Sequence, residues 1–208
     1  GKSTTAEVLS RKLTDKGLNV THHVESDPQN PVGLPMSLIE ADNTIKSTTL
    51  ARYPFETWEN LFVELDSFML IEARLIQNSS FWAMLNGENE KKCIELPRKI
   101  LNSISKDIEV KLIVFSQTNP ESHIYNVINE RKKKHPHWLP YICDLFDKQK
   151  WAKNNQARGI KGFVDAQLAW TKLFSRIVDN LECERILIID PHTDWDEAMN
   201  KALKFSLV

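Results

Sequence analysis

The sequence predicts an α/β domain built on a parallel sheet with helices over both faces. Short apolar runs at 68–71, 111–115 and 185–189 have the length and side-chain content of strands buried on both sides. Segments with helical periodicity separate these runs, as they must where each strand returns in the same direction as the last. The chain also opens on Gly1-Lys2-Ser3-Thr4-Thr5, directly before a segment of helical period. Such a Gly-Lys-hydroxyl arrangement suits the mouth of a helix that follows a strand.

Each element follows in order. Ala6, Leu9 and Leu13 fall on one side of a first helix, Gly17 closes it, and Leu18, Val20, His22 and Val24 alternate as in a strand. A helix with no strand ahead of it is half of a βα unit. The stretch 26–53 is interrupted by Pro28, Pro31, Gly33 and Pro35, with at most a turn of helix at 36–39. Residues 58–65 read as helix, and 68–71 as a strand that ends at Glu72. Helical segments at 79–85 and 97–104 flank a loop at 86–89. A strand at 111–115 leads through 116–120 to a helix over 121–134, which Pro136 ends. A polar helix-loop region reaches Gly162; the longest helix, 163–181, the strand 185–189 and a closing helix over 195–205 complete a five-strand pattern, counting the strand expected ahead of Gly1.

Composition restricts the functions. A chain of 208 residues with 41% hydrophobic and 26% charged side chains is one ordinary globular domain, able to bury roughly 70% of the surface its unfolded chain exposes. Lys and Arg number 27 against 28 Asp and Glu, so no global positive field draws nucleic acid, and none is expected as a partner. No apolar run approaches the roughly 20 residues of a membrane span, and no signal stretch opens the chain; the expected location is cytoplasmic and no membrane partner is expected. Cys93, Cys143 and Cys183 are too far apart for a disulfide framework or a thiolate zinc site.

The opening residues form the second half of a GxxxxGK[ST] phosphate loop. Backbone N–H groups at the helix mouth would hold phosphate oxygens, Lys2 would reach the β and γ phosphates, and Ser3 would offer its hydroxyl to magnesium. With 24–25 after the second strand, 71–78 after the third, and 131–141 around Trp138, the chain resembles the P-loop kinase-like NTPases of the thymidylate kinase-like group, in particular bacterial members of roughly this size. On that resemblance the sequence is cut within its Walker A motif. The resemblance implies a three-layer α/β/α sandwich, a central strand carrying the phosphate loop, a mobile basic lid, and transfer or hydrolysis of the γ-phosphoryl group of ATP with Mg2+. The Asp-Arg pair typical of nucleoside kinases is absent from 25–31.

The expected organisation is a single domain over 1–208, with a substrate-side insertion at about 26–60 and a lid-like region at about 131–162. Carboxylates just past parallel strands lie where open α/β sheets bind ligands. Glu25 is placed to orient or deprotonate an acceptor hydroxyl, with Asp27 as a substitute, and Glu72 to support the metal shell with Ser3. Lys2, Glu25, Glu72 and Arg131 are the expected catalytic residues; Gly1, Lys2, Ser3, Thr4, Arg131 and Arg158 are expected to hold the nucleotide. Arg74, in strand register with Glu72, suits either an anionic acceptor or a surface ion pair. Trp138 or Phe55 would stack on an acceptor ring, while Trp170 and Trp195 read as core. His22 with His23, and His135 with His137, lack companion ligands at zinc spacing. The stretch 190–193 is similar to the place where P-loop kinases contact adenine, although Thr193 or Asp194 equally suits a helix cap. The sequence therefore points to a magnesium-dependent kinase acting on a small hydroxyl or phosphate acceptor. The alternative is a nucleotide-binding NTPase or regulatory module with no small-molecule acceptor, and a homodimer through 163–181 is a further possibility.

Overall fold

A computed structural model describes residues 2–25, 27, 29–32, 57–64 and 66–208. The elements run α1 (Lys2–Thr14), β1 (Asn19–His23), β2 (Ser67–Ile71), a π-helix (Arg74–Phe81), α2 (Trp82–Leu85), α3 (Glu90–Ser103), β3 (Lys111–Ser116), α4 (Pro120–Lys134), α5 (Trp138–Asp147), α6 (Lys150–Asn154), α7 (Gly159–Asp179), β4 (Glu184–Ile189) and α8 (Trp195–Ser206). The class is mixed α/β and the strand pairing is parallel, with Asn19 opposite Ser67 and Lys111 opposite Glu184. Among the described residues the strands form two separate two-stranded sheets, β1–β2 and β3–β4, where the sequence pattern predicts one continuous sheet. Two strands do not hold together unaided, so helices must supply the stability of each pair.

Alternation along β3 shows how they do so. Ile113 and Phe115 join Ile186 and Ile188 of β4 against Ala198, Met199 and Ala202 of α8, with Val8 of α1 in the same cluster. Leu112 and Val114 point the other way, into the principal core with Leu96 and Ile100 of α3 and Leu173 and Ile177 of α7. Helices thus cover both faces of β3, as its apolar character requires. α1 packs on β1 and β2 as well as reaching the β3–β4 cluster through Val8, so one helix touches both strand pairs. Leu9 and Leu13, the predicted buried stripe of α1, are 2% and 0% exposed.

Element ends differ from the sequence pattern where distant side chains intervene. The helix placed at 97–104 begins at Glu90, capped by Asn89, whose side chain accepts from the Lys92 N–H at 2.9 Å. Pro97 lies inside it and cannot donate to the Cys93 carbonyl four residues back. Ser80 Oγ supplies that bond, at 2.8 Å, so the proline costs the buried helix no unpaired carbonyl. The predicted helix at 58–65 is one turn at 57–59 followed by irregular chain at 61–64, and 79–85 is divided between the π-helix and α2. The longest helix begins at Gly159 because the Asp147 carboxylate accepts the Gly159 N–H at 2.9 Å. Asn119 caps α4 through Ser122 N, and Asp194 caps α8 through Glu197 N, the second as the sequence suggests.

The interval expected to act as a lid, 131–162, is largely helical and packed. Phe146 and Ala152 lie in the principal core, and Leu139 packs with Ile128 and Val164 in a smaller cluster shared by α4, α5 and α7. The apolar side chains of α7, the helix expected to offer a dimer face, are buried within the chain at Val164, Ala166, Leu173, Ile177 and Val178. Phe55, most of the insertion at 26–60 and its turn at 36–39 lie outside the described residues.

Candidate functional site

The amino end of α1 meets the carboxyl ends of β1 and β2. β2 ends at Ile71, and the ladder continues one bond further as the Glu72 N–H donates to the His23 carbonyl at 3.2 Å. That bond fixes the Glu72 backbone, and the side chain, 5% exposed, turns toward α1. Ser3 Oγ donates to Glu72 Oε2 at 2.6 Å, and His22 Nε2 lies 2.8 Å from Glu72 Oε1. Both carboxylate oxygens are therefore engaged, one by a helix-mouth hydroxyl and one by a strand imidazole. Where that imidazole carries a proton, the contact is an ion pair.

Ala73 then turns the chain aside. Its φ of 60° and ψ of −6° are left-handed, a conformation that costs an alanine about 1–2 kcal/mol. As a result Glu72 and Arg74 do not share the strand register that their spacing suggests. Arg74 enters the π-helix and bonds through its guanidinium to the Glu25 carbonyl, and not to Glu72. The Asn78 amide, turned with its nitrogen to Glu25 Oε1 and its oxygen to Arg74 Nη1, makes both contacts at 2.9 Å. Partial burial lowers the Arg74 pKa and the Glu25 carboxylate opposes that shift, so the guanidinium stays charged. π-Helices gather at functional positions because the irregular turn re-aims side chains; this one carries Arg74 and Asn78 to the end of β1.

The remaining sequence candidates have varied placements. Thr4 is exposed on the first turn of α1, Gly1 and the Lys2 side chain lie outside the described residues, and α1 carries no acidic residue in that turn. Asp27 is held by the Gln29 N–H at 2.8 Å and by His23 Nδ1 at 3.1 Å. Those bonds, the backbone one foremost, lower its pKa. Arg131 lies over the Trp138 ring, 5.0 Å from its centroid, and Trp138 also meets Phe163 edge-on. Neither Arg131 nor the exposed Arg158 is bonded to Ser3, Glu25 or Glu72.

Two partners in this site are not evident from the sequence pattern. Spacing considers His22 only as a metal ligand, yet its alternate position near the end of β1 points it at a carboxylate ending the neighbouring strand. Asn78 lies four residues after Arg74, the spacing at which helical side chains meet. A third feature lies at the far pair of strands. Asp190, with φ 47°, accepts from the Thr118 N–H at 2.9 Å and from the Thr118 hydroxyl, while His123 and His192 stack with centroids 5.4 Å apart. This joins the β3–α4 turn to the stretch 190–193.

Ser3 and Glu72 suit magnesium in donor type, since both offer oxygen. Among the described residues no group of three or more His, Cys, Asp or Glu side chains is gathered as for a protein-held metal ion, so such an ion would also need phosphate and water oxygens. Among the same residues no helix is long and apolar enough to cross a membrane. Compared with family models, curated proteins and solved structures, the chain matches none.

Proposed function

We propose that the mouth of α1 binds the phosphates of a nucleoside triphosphate with magnesium, and that the chain is a P-loop kinase-like phosphotransferase acting on a small hydroxyl or phosphate acceptor. One observation carries the reading: a hydroxyl on the first turn of α1 bonds at 2.6 Å to a buried carboxylate ending a parallel strand, 69 residues away in sequence. The first turn of α1 carries no acidic residue of its own, and its unpaired N–H groups and dipole favour anions. Ser3 and Glu72 would hold magnesium there, directly or through its water, and the metal would neutralise charge developing on the transferred phosphoryl group. His22 fixes the Glu72 carboxylate, Asn78 holds that of Glu25, and Arg74 holds the Glu25 carbonyl and the Asn78 amide. A fixed Glu25 would orient an acceptor hydroxyl and take its proton as the new O–P bond forms and ADP leaves. Lys2, next to Ser3, would neutralise the β and γ phosphates.

Calorimetric titration with ATP and magnesium tests this. It is run on the chain as it stands, on Lys2→Ala, and on a chain extended ahead of Gly1 by a strand and the first half of a GxxxxGK[ST] loop. Binding that Lys2→Ala abolishes supports the phosphate site, whereas no binding in either unmutated chain overturns it. Acceptor-dependent ADP formation then separates a kinase from an NTPase, which releases phosphate without an acceptor.

A further inference from the structure

The strongest concentration of like charge lies away from that site. Arg131, Lys132, Lys133 and Lys134 fill the last turn of α4, with His135 and His137 just beyond, and all six are exposed. Lys133 pairs with Glu130 at 3.5 Å, while Arg131, Lys132 and Lys134 have no acidic partner among the described residues. In a chain of net charge −1, this is a local field that the overall balance conceals.

Aromatic rings accompany the charge. The Trp138 N–H bonds to the His135 carbonyl at 2.9 Å, folding α5 back on the end of α4 and bringing the Trp138 ring beneath Arg131. A guanidinium over an indole face is attracted to it and still has N–H donors for an outside ligand. One turn along α5 from His137 and Trp138 lies Tyr141, 55% exposed. A cluster of exposed cations beside an exposed tyrosine matches a strand of unpaired nucleotides, whose backbone needs positive charge and whose bases stack on any aromatic face. An acidic protein would use the cations but not the ring. A membrane surface would need an exposed aliphatic stripe beside them, which the run 131–137 lacks.

We propose that the Arg131–Lys134 turn with His137 and Tyr141 binds single-stranded nucleic acid without sequence preference. This assigns Arg131 a use other than the expected lid, and it is independent of the phosphate-site reading.

Fluorescence anisotropy with a labelled oligouridylate of about 10 nucleotides tests it, with a duplex of matched length, polyglutamate and phosphatidylserine vesicles as competitors. The oligouridylate should bind with log K falling against log salt, and Lys132→Ala with Lys134→Ala should flatten that slope by roughly 1.4, at about 0.7 per lost phosphate contact. Tyr141→Ala should weaken binding about 5-fold or more and leave the slope unchanged. Competition by polyglutamate or vesicles as strong as by unlabelled oligouridylate would overturn the proposal, as would affinity and slope indifferent to both sets of substitutions.

Discussion

Glu72 offers the sharpest test of how the site is held. Its carboxylate is 5% exposed and accepts from Ser3 Oγ at 2.6 Å and His22 Nε2 at 2.8 Å. Hydrogen bonds to a charged acceptor contribute about 1.5–3 kcal/mol each. The Ser3 bond counts least, since Ser3 is exposed and its hydroxyl can turn to water. Glu72→Ala should therefore cost about 3 kcal/mol, most of it from the His22 imidazole left without its partner. Glu72→Gln keeps an oxygen for Ser3 and has an amide N–H that His22 Nε2 can accept once the ring hydrogen sits on Nδ1, so it should cost about 1 kcal/mol. With a urea m-value of about 2 kcal/mol/M, the unfolding midpoint moves down by about 1.5 M for alanine and about 0.5 M for glutamine. Equal losses in the two variants, or a loss under about 0.5 kcal/mol in Glu72→Ala, would refute the account of a carboxylate held from both sides.

Three further outcomes are expected. Ser80→Ala should cost about 1–3 kcal/mol by leaving the Cys93 carbonyl unpaired; in a Pro97→Ala background the cost should shrink, because that substitution restores a backbone donor, and a double-mutant cycle by urea unfolding measures the coupling. Gly162→Ala should destabilise by about 1–3 kcal/mol although alanine is the better helix former, because a Cβ there would stand 2.6 Å from the Ala157 carbonyl carbon; a lowered midpoint in thermal unfolding checks it. His123 has its pKa held below 6.5 by burial and then by His192, against the pull of Asp190. The unfolded chain therefore takes up this proton first, so the contribution to stability is full above pH 6.5 and is lost as pH falls below it toward the folded value. Unfolding midpoints across that range should show a decline that His192→Asn weakens.

The parts of the fold legible in the sequence are those decided by local pattern. β3 is readable because a strand covered on both faces is apolar throughout, and α8 because Asp194 precedes its apolar stripe. β4 has the same apolar character but is covered on one face, with Ile186 and Ile188 against α8 and Leu187 and Ile189 56% and 55% exposed, so burial of 185–189 on both sides is not found. Glu25 and Glu72 are legible as carboxylates just past strands, and Ser3 as a hydroxyl at a helix mouth. What the pattern misses depends on side chains meeting backbone far away in sequence. Pro97 looks like a helix start because nothing local reveals that Ser80 completes the bond its ring removes. Arg74 looks like the neighbour of Glu72 because period two holds only while the backbone stays extended, and Ala73 leaves that region at φ 60°. The single sheet expected from the strand pattern is not found among the described residues, since periodicity shows that a strand is buried but not which strand lies beside it.

The parallel pairing has a consequence in time. β3 and β4 cannot close as a hairpin, since residues 117–183, with α4 to α7, lie between them. The entropy of closing so long a loop comes before any ladder bond can repay it. Of the helices within that loop, by contrast, α4, α5 and α7 share the Ile128–Leu139–Val164 cluster, so their contacts span far less chain. The expected order is helices first and β4 onto β3 late, with Ile186 and Ile188 still open to solvent while α4, α5 and α7 are already packed. Pulsed hydrogen exchange during refolding should then protect amides in α7 before those in β4, and the reverse order would show that the strands lead.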